Sequence, residues 1–268
     1  MYLFSEIKQV HLEVTERCNA ACPQCPRRIE GGVLNPKLTM AELSLNQVRQ
    51  LLPADFLKQL KKVYLCGNYG DAAAAAETLG IVSYLRESSA DLQIGVHSNG
   101  SLRTTTWWAR LAQAIGTKGY ARFAIDGLED TNAIYRRNTE WSKIMENAGA
   151  FIAAGGRAEW DFIVFAHNEH QVEAARQLAA GMGFAAFNVK RTARFLDRKT
   201  LTASGTTSVR NRQGELAFPN LEQSGSIDGL KNSLEQIVMG EFFQNSVKDR
   251  WQPGHPQRLK VCARICSK

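Results

Sequence analysis

Residues 18 to 25 read Cys-Asn-Ala-Ala-Cys-Pro-Gln-Cys, so Cys18, Cys22 and Cys25, three of the six cysteines, fall within eight residues. Thiolates spaced C-x3-C-x2-C on one loop can each hold one iron of a cubane iron–sulfur cluster. With no fourth cysteine nearby, one iron is left without a protein ligand. A metal position without a protein ligand is where chemistry occurs, whereas a fully ligated one is structural. Two other readings stay open at this point. A structural zinc ion needs four ligands, so a distant His would have to complete the set. A disulfide with one spare thiol is the third, without any secretory context to favour it.

Further polar residues stand where apolar runs end. Gly67-Asn68-Tyr69-Gly70-Asp71 places two glycines and a carboxylate together, allowing backbone polar groups to approach a ligand; the plain alternative is a strand-to-helix turn. Ser98 and Asn99 precede Gly100, and Asn-Gly by itself is a turn signal. Asp126 precedes Gly127 and either meets a ligand or caps the next turn. Lys190, Arg191 and Arg194 gather fixed cations that suit a carboxylate or form a solvated basic face. Cys66 reads as core packing, Trp107 and Trp108 as packing, and His167 and His170 as ordinary surface residues. Arg27 and Arg28 either offset negative charge at the cysteine loop or lie on the surface.

The elements that must hold these residues follow from periodicity. Val10-His11-Leu12-Glu13-Val14 alternates with period two, predicting a strand that runs into the cysteine loop. Helical spacing over 43–52, with Ser44 as a cap, precedes a strand over 62–66. An Ala-rich helix is expected over 72–87, then a strand over 92–96, a helix over 104–115 and a strand over 121–125. A helix over 141–154 is stopped by Gly155 and Gly156. A strand over 160–165, a helix from the Asn168 cap to 182 and a strand over 187–189 complete the series. Six strand–helix alternations predict an α/β fold with a parallel sheet, a partial (β/α)6 TIM-like barrel with a C-terminal extension. In such barrels the sites gather at the C-terminal ends of the strands, where every candidate above stands.

The cysteine spacing, followed in order by these strand-end residues, resembles the radical S-adenosylmethionine (radical SAM) enzymes over residues 8 to about 195. The resemblance implies that Cys18, Cys22 and Cys25 hold a [4Fe–4S] cluster whose open iron is chelated by SAM. One-electron reduction then splits SAM into methionine and a 5′-deoxyadenosyl radical that takes hydrogen from a substrate. It implies that Gly67, Tyr69, Gly70 and Asp71 stand for the family's Gly-Gly-Glu-like segment, with Ala72 where a proline often follows. Ser98 and Asn99 match its Thr-Asn-Gly, Asp126 its Ser-Ile-Asp-Gly with Ala124 at the Ser position, and Arg191 is a candidate partner for the SAM carboxylate. Gln24 stands where the family usually has an aromatic residue near the adenine. Catalytic residues beyond these are not assigned.

Three segments are expected: a core domain over 1–200, a polar linker over 201–229, and a helix with a basic, cysteine-containing tail over 230–268. Cys262 and Cys266 resemble the start of the auxiliary-cluster extensions (SPASM or twitch) of peptide-modifying radical SAM enzymes. A second iron–sulfur cluster is expected only if that extension is completed elsewhere; two free thiols or one disulfide is the alternative. The tail favours a peptide substrate. The net charge of +7 and pI near 9.2 favour an anionic partner, making RNA or nucleotide modification the competing enzyme reading. A non-catalytic iron–sulfur or zinc module holding an anionic partner is the reading of a different class. The enzyme readings imply an electron donor such as flavodoxin or ferredoxin. No apolar run reaches the length of a membrane span, and the N-terminus lacks the n- and h-regions of a signal peptide. A cytoplasmic protein with reduced thiols is therefore expected.

Overall fold

The computed structural model describes residues 3–29, 32–165 and 167–190. Arg191, Arg194, the expected linker and helix, and the tail with Cys262 and Cys266 lie outside the described residues.

Strands β1 (Gln9–Leu12), β2 (Lys62–Leu65), β3 (Gln93–Ser98), β4 (Tyr120–Ala124), β5 (Ala158–Ile163) and β6 (Ala186–Lys190) form one sheet. They pair in chain order and every pair is parallel. The crossovers carry helices α1 (Leu45–Leu51), α2 (Ala54–Gln59), α3 (Thr78–Ser88), α4 (Thr105–Ile115), α5 (Asn132–Tyr135), α6 (Trp141–Ala153) and α7 (Val172–Met182). This is the expected α/β partial barrel.

Strand alternation sorts the side chains into two sets. Val63, Leu65, Ile94, Val96, Phe123, Trp160 and Phe162 are fully buried against Leu85 of α3, Trp108 of α4 and Phe151 of α6. Burial of each such side chain is worth about 1.5–3 kcal/mol. The alternate positions carry Lys62, Tyr64, His97, Arg122, Asp161 and Lys190, which contact one another on the opposite face. One face therefore fastens the sheet to its helices, and the other is left for polar chemistry.

Ser44 caps α1 as expected, in a capping box with Gln47. The Ala-rich run departs from expectation. Ala72–Ala74 form a single 3-10 turn and the helix begins only at Thr78. Tertiary partners override alanine's helix preference. Arg103 takes the carbonyls of Ala73 and Ala75 at 2.7 and 2.8 Å, and the Thr78 hydroxyl takes that of Ala72 at 2.5 Å. Asn168 likewise does not cap α7 with its side chain. It instead ties three backbone groups together, donating to the Asp126 and Ile163 carbonyls and accepting from Phe165 N.

Candidate functional site

The loop from β1 to α1 carries the three cysteines. Cys18, Cys22 and Cys25 are free thiols that pack in one small apolar cluster, Cys22 buried with Ala20, Tyr135 and Phe165 and Cys18, Cys25 and Ile163 at its edge. Arg27, expected either on the surface or as a charge partner, is buried; its Nε donates to the Glu16 carbonyl at 2.9 Å and its Nη1 to that of Cys18 at 3.4 Å. The loop is thus pinned from within by its own arginine. Burial pushes the Cys18 thiol up to about 12 and raises that of Cys22 as well. Such thiols give up their protons to a bound metal. Among the described residues no three His, Cys, Asp or Glu side chains converge on one point as a single ion requires. A cubane spreads its ligands over separate irons, so three thiols gathered in one cluster suit its shape.

The segment after β2 braces this loop. A Cβ on Gly70 would lie 1.8 Å from the Thr15 carbonyl oxygen, and one on Gly67 1.9 Å from that of Gly70. The two glycines allow the turn to fold onto itself and onto the start of the cysteine loop, where Asp71 N donates to the Arg17 carbonyl at 2.9 Å. Gly70→Ala should therefore push the loop away, costing at least the about 1–3 kcal/mol typical of overpacking. Thermal melting and iron uptake report both effects. A variant that melts and loads like the parent would remove the brace from the account.

The strand-end carboxylates turn inward. Asp71, 5% exposed, accepts from Ala73 N at 2.9 Å and from both Asn99 N and Asn99 Nδ2 at 2.8 Å. Burial raises its carboxyl; the Asn99, Ser98 and Ala73 donors pull the other way. Asp126 is fully buried and accepts from Arg136 Nε at 2.6 Å and from Ile163 N at 2.7 Å. Both carboxylates spend their oxygens inside the protein. Ser98 Oγ accepts from Gly100 N, and Asn99 Nδ2 also reaches Asn19 Oδ1 at 2.9 Å and Cys18 Sγ at 3.7 Å. Tyr69 N donates to Glu13, which also takes the Asn68 amide. Asp71, Asn99 and Cys18 are thereby joined at the C-terminal end of the sheet, Gly67 and Gly70 pack beside the start of the cysteine loop, and Asp126 is held separately by Arg136 and Ile163.

Arg136, on the turn after α5, was not anticipated from sequence. Nothing in an isolated Tyr-Arg-Arg triplet shows that one arginine enters the interior. Nor was the polar face of the sheet. His11 stacks on Tyr64 and Tyr64 on His97, with centroids 4.8 and 5.7 Å apart, while Lys62 lies over the Tyr64 and Tyr120 rings. Beyond them Arg122 bonds Glu159 at 2.5 Å, and Asp161 is paired with Arg122 and Lys190. The recurrence of polar residues at alternate strand positions was the signal available for it. Cys66 is only half-buried; its carbonyl accepts from His11 Nε2 at 2.5 Å. His167, expected on the surface, stacks on Phe165 with both ring nitrogens buried.

Burial, then the nearby Arg122, Lys190, Lys62 and His11, push His97 down to about 3 from its usual 6.5. The folded state keeps this ring neutral while the unfolded chain protonates it below about 6.5, so stability falls as pH drops from there toward 3. The loss is at most about 1.4 kcal/mol per pH unit. His97→Gln should flatten that part of the dependence when melting temperatures at pH 7 and pH 5 are compared with the parent; equal slopes would refute it.

No family model matches the chain, and no curated protein matches it in sequence. Its fold does match solved structures. SuiB from Streptococcus suis, crystallised bound to S-adenosylmethionine, superposes with a TM-score of 0.58 at 11% identity, over 71% of this chain and 42% of that one. The fold is shared. A second structure, anSMEcpe with bound AdoMet and Cp18Cys peptide, gives a TM-score of 0.54 at 14% identity, over 69% of this chain and 50% of that one. SuiB is also solved bound to its precursor peptide SuiA, with a TM-score of 0.58 at 11% identity over 70% and 40% of the two chains. The chain thus spans half or less of the length of these proteins.

Proposed function

We propose that this protein is a radical SAM enzyme acting on a peptide. The carrying observation is the gathering of three free thiols, Cys18, Cys22 and Cys25, in one side-chain cluster at the C-terminal end of a parallel partial barrel. When bound there, a [4Fe–4S] cluster with SAM on its open iron supplies one-electron cleavage of SAM and a radical that abstracts hydrogen.

The chain's own residues do the rest. Cys18, Cys22 and Cys25 ligate. The backbone of Gly67, Tyr69 and Gly70 and the polar groups of Ser98 and Asn99 seat SAM at the mouth, with Asp71 and Asp126 bracing them from beneath; Arg191, outside the described residues, is the candidate partner of the SAM carboxylate by sequence alone. Tyr135 and Phe165 pack over Cys22, the buried one of the three thiols. The polar sheet face below receives the substrate. A peptide is favoured because SuiB and anSMEcpe, which share the fold, are solved with peptides. A flavodoxin or ferredoxin is the fitting electron donor.

Anaerobic loading with iron and sulfide, followed by SAM and dithionite, should release 5′-deoxyadenosine and methionine. A loaded protein that holds SAM intact under these conditions would leave a non-catalytic iron–sulfur module. Adding peptide or RNA then separates the substrate readings by which of them incorporates or loses hydrogen isotope.

A further inference from the structure

The geometry points to Arg136, oriented by Asp126, as the positioning residue that sets the reduction potential at the three-cysteine site. The inference rests on those thiols holding a [4Fe–4S] cluster. Arg136 stands on the chain 114 residues from Cys22, yet its Nη1 lies 3.8 Å from Cys22 Sγ. Its Nε is spent on Asp126 Oδ2 at 2.6 Å. The fork therefore bridges the two groups, and the plane of the guanidinium fixes the direction of the second arm once the first is anchored.

The anchor is itself immobile. Asp126 is fully buried, and its other oxygen is held by Ile163 N at 2.7 Å while its backbone N donates to Asn132 Oδ1 at 2.9 Å. The Arg136 side chain is 16% exposed and lies over the Tyr135 ring, 5.3 Å from its centroid. An arginine keeps its charge at any working pH, and Asp126 pairs with it directly. The ion pair is thus a fixed dipole with its positive end toward the sulfur. Adding an electron makes a cluster more negative, and a fixed positive charge against a ligating sulfur favours that state. A device with neutral polarity stands on Cys18, where Asn99 Nδ2, held by Asp71, is 3.7 Å from the sulfur beside Ala20 N at 3.3 Å. Cys18 and Cys22 each carry a donor anchored by a buried aspartate, and only the one on Cys22 is charged.

The test is an EPR-monitored redox titration of the loaded full chain without SAM. Arg136→Gln should lower the midpoint potential by a tenfold change in the reduction equilibrium, about 59 mV for one electron. Asn99→Ala should lower it by less. Arg136→Lys keeps the charge without the second arm and should fall between Arg136→Gln and the parent; it carries the test if Arg136→Gln does not fold. Lys190→Gln, which removes a cation paired with Asp161 rather than facing a sulfur, should shift the potential less than twofold in equilibrium terms. Parent-like potentials in both Arg136 variants, or a Lys190→Gln shift as large as theirs, would overturn the assignment while leaving the cluster reading intact. A parent protein that takes up no iron would overturn that reading, and this inference with it, before any variant is made.

Discussion

Cys22→Ala is expected to yield a folded protein that can no longer hold a SAM-binding [4Fe–4S] cluster. Three protein ligands are the fewest that hold a cubane while leaving one iron free. Cys22 is the most enclosed of the three, at 7% exposure, and sits in the apolar cluster with Tyr135 and Phe165. No other cysteine among the described residues takes its place: Cys66 belongs to the end of β2, and its carbonyl is bound to His11. Losing the thiol removes little packing, so the fold should survive with a melting temperature near that of the unloaded parent. Iron and sulfide analysis, with the visible spectrum after anaerobic loading, reads the outcome. Retention of about four irons per chain in the variant would sink the ligand assignment.

Asp126→Ala should destabilise the protein by about 3–5 kcal/mol, the usual cost of removing one partner from a buried ion pair. The change strands Arg136 in the interior and also frees Ile163 N, which Asp126 accepts at 2.7 Å. The cost comes from the uncompensated charge more than from lost attraction, so an apolar replacement of both partners should recover much of it. Denaturant unfolding of the unloaded Asp126→Ala and Asp126→Ala/Arg136→Leu proteins checks both halves. A single variant as stable as the parent would mean the pair carries no such load. A double variant as weak as the single one would assign the loss to the Ile163 and backbone contacts instead.

The two variants test different halves of the same site. Cys22 is a local feature, one of three thiols on a short loop. Asp126 and Arg136 are joined by folding, and their effect on Cys22 exists only because a turn after β4 is brought against the loop after β1. A ligand set can be intact in sequence and still fail if the buried charges beside it are unbalanced.

Local spacing is what the sequence by itself determined. C-x3-C-x2-C puts three thiols on one loop whatever the rest of the chain does. Six strand-like runs with helical patterns between them leave a parallel sheet with crossover helices as the economical arrangement. The same periodicity placed Gly67–Asp71, Ser98–Asn99 and Asp126 at strand ends, because a strand's end is marked by the residues that break it. The partners of those residues were decided only by tertiary structure. Asp71 meets Asn99 across 28 residues and Asp126 meets Ile163 N across 37, and no pattern along the chain ranks such pairs. The alanine run shows the same limit in reverse. Its helix preference is worth a fraction of a kcal/mol per residue, and Arg103 and Thr78, binding its carbonyls from other segments, hold it as a turn. Arg136 is the clearest case. Alone in the sequence it is one arginine among many, and only burial beside Asp126 and Cys22 makes it a fixed charge at the candidate site.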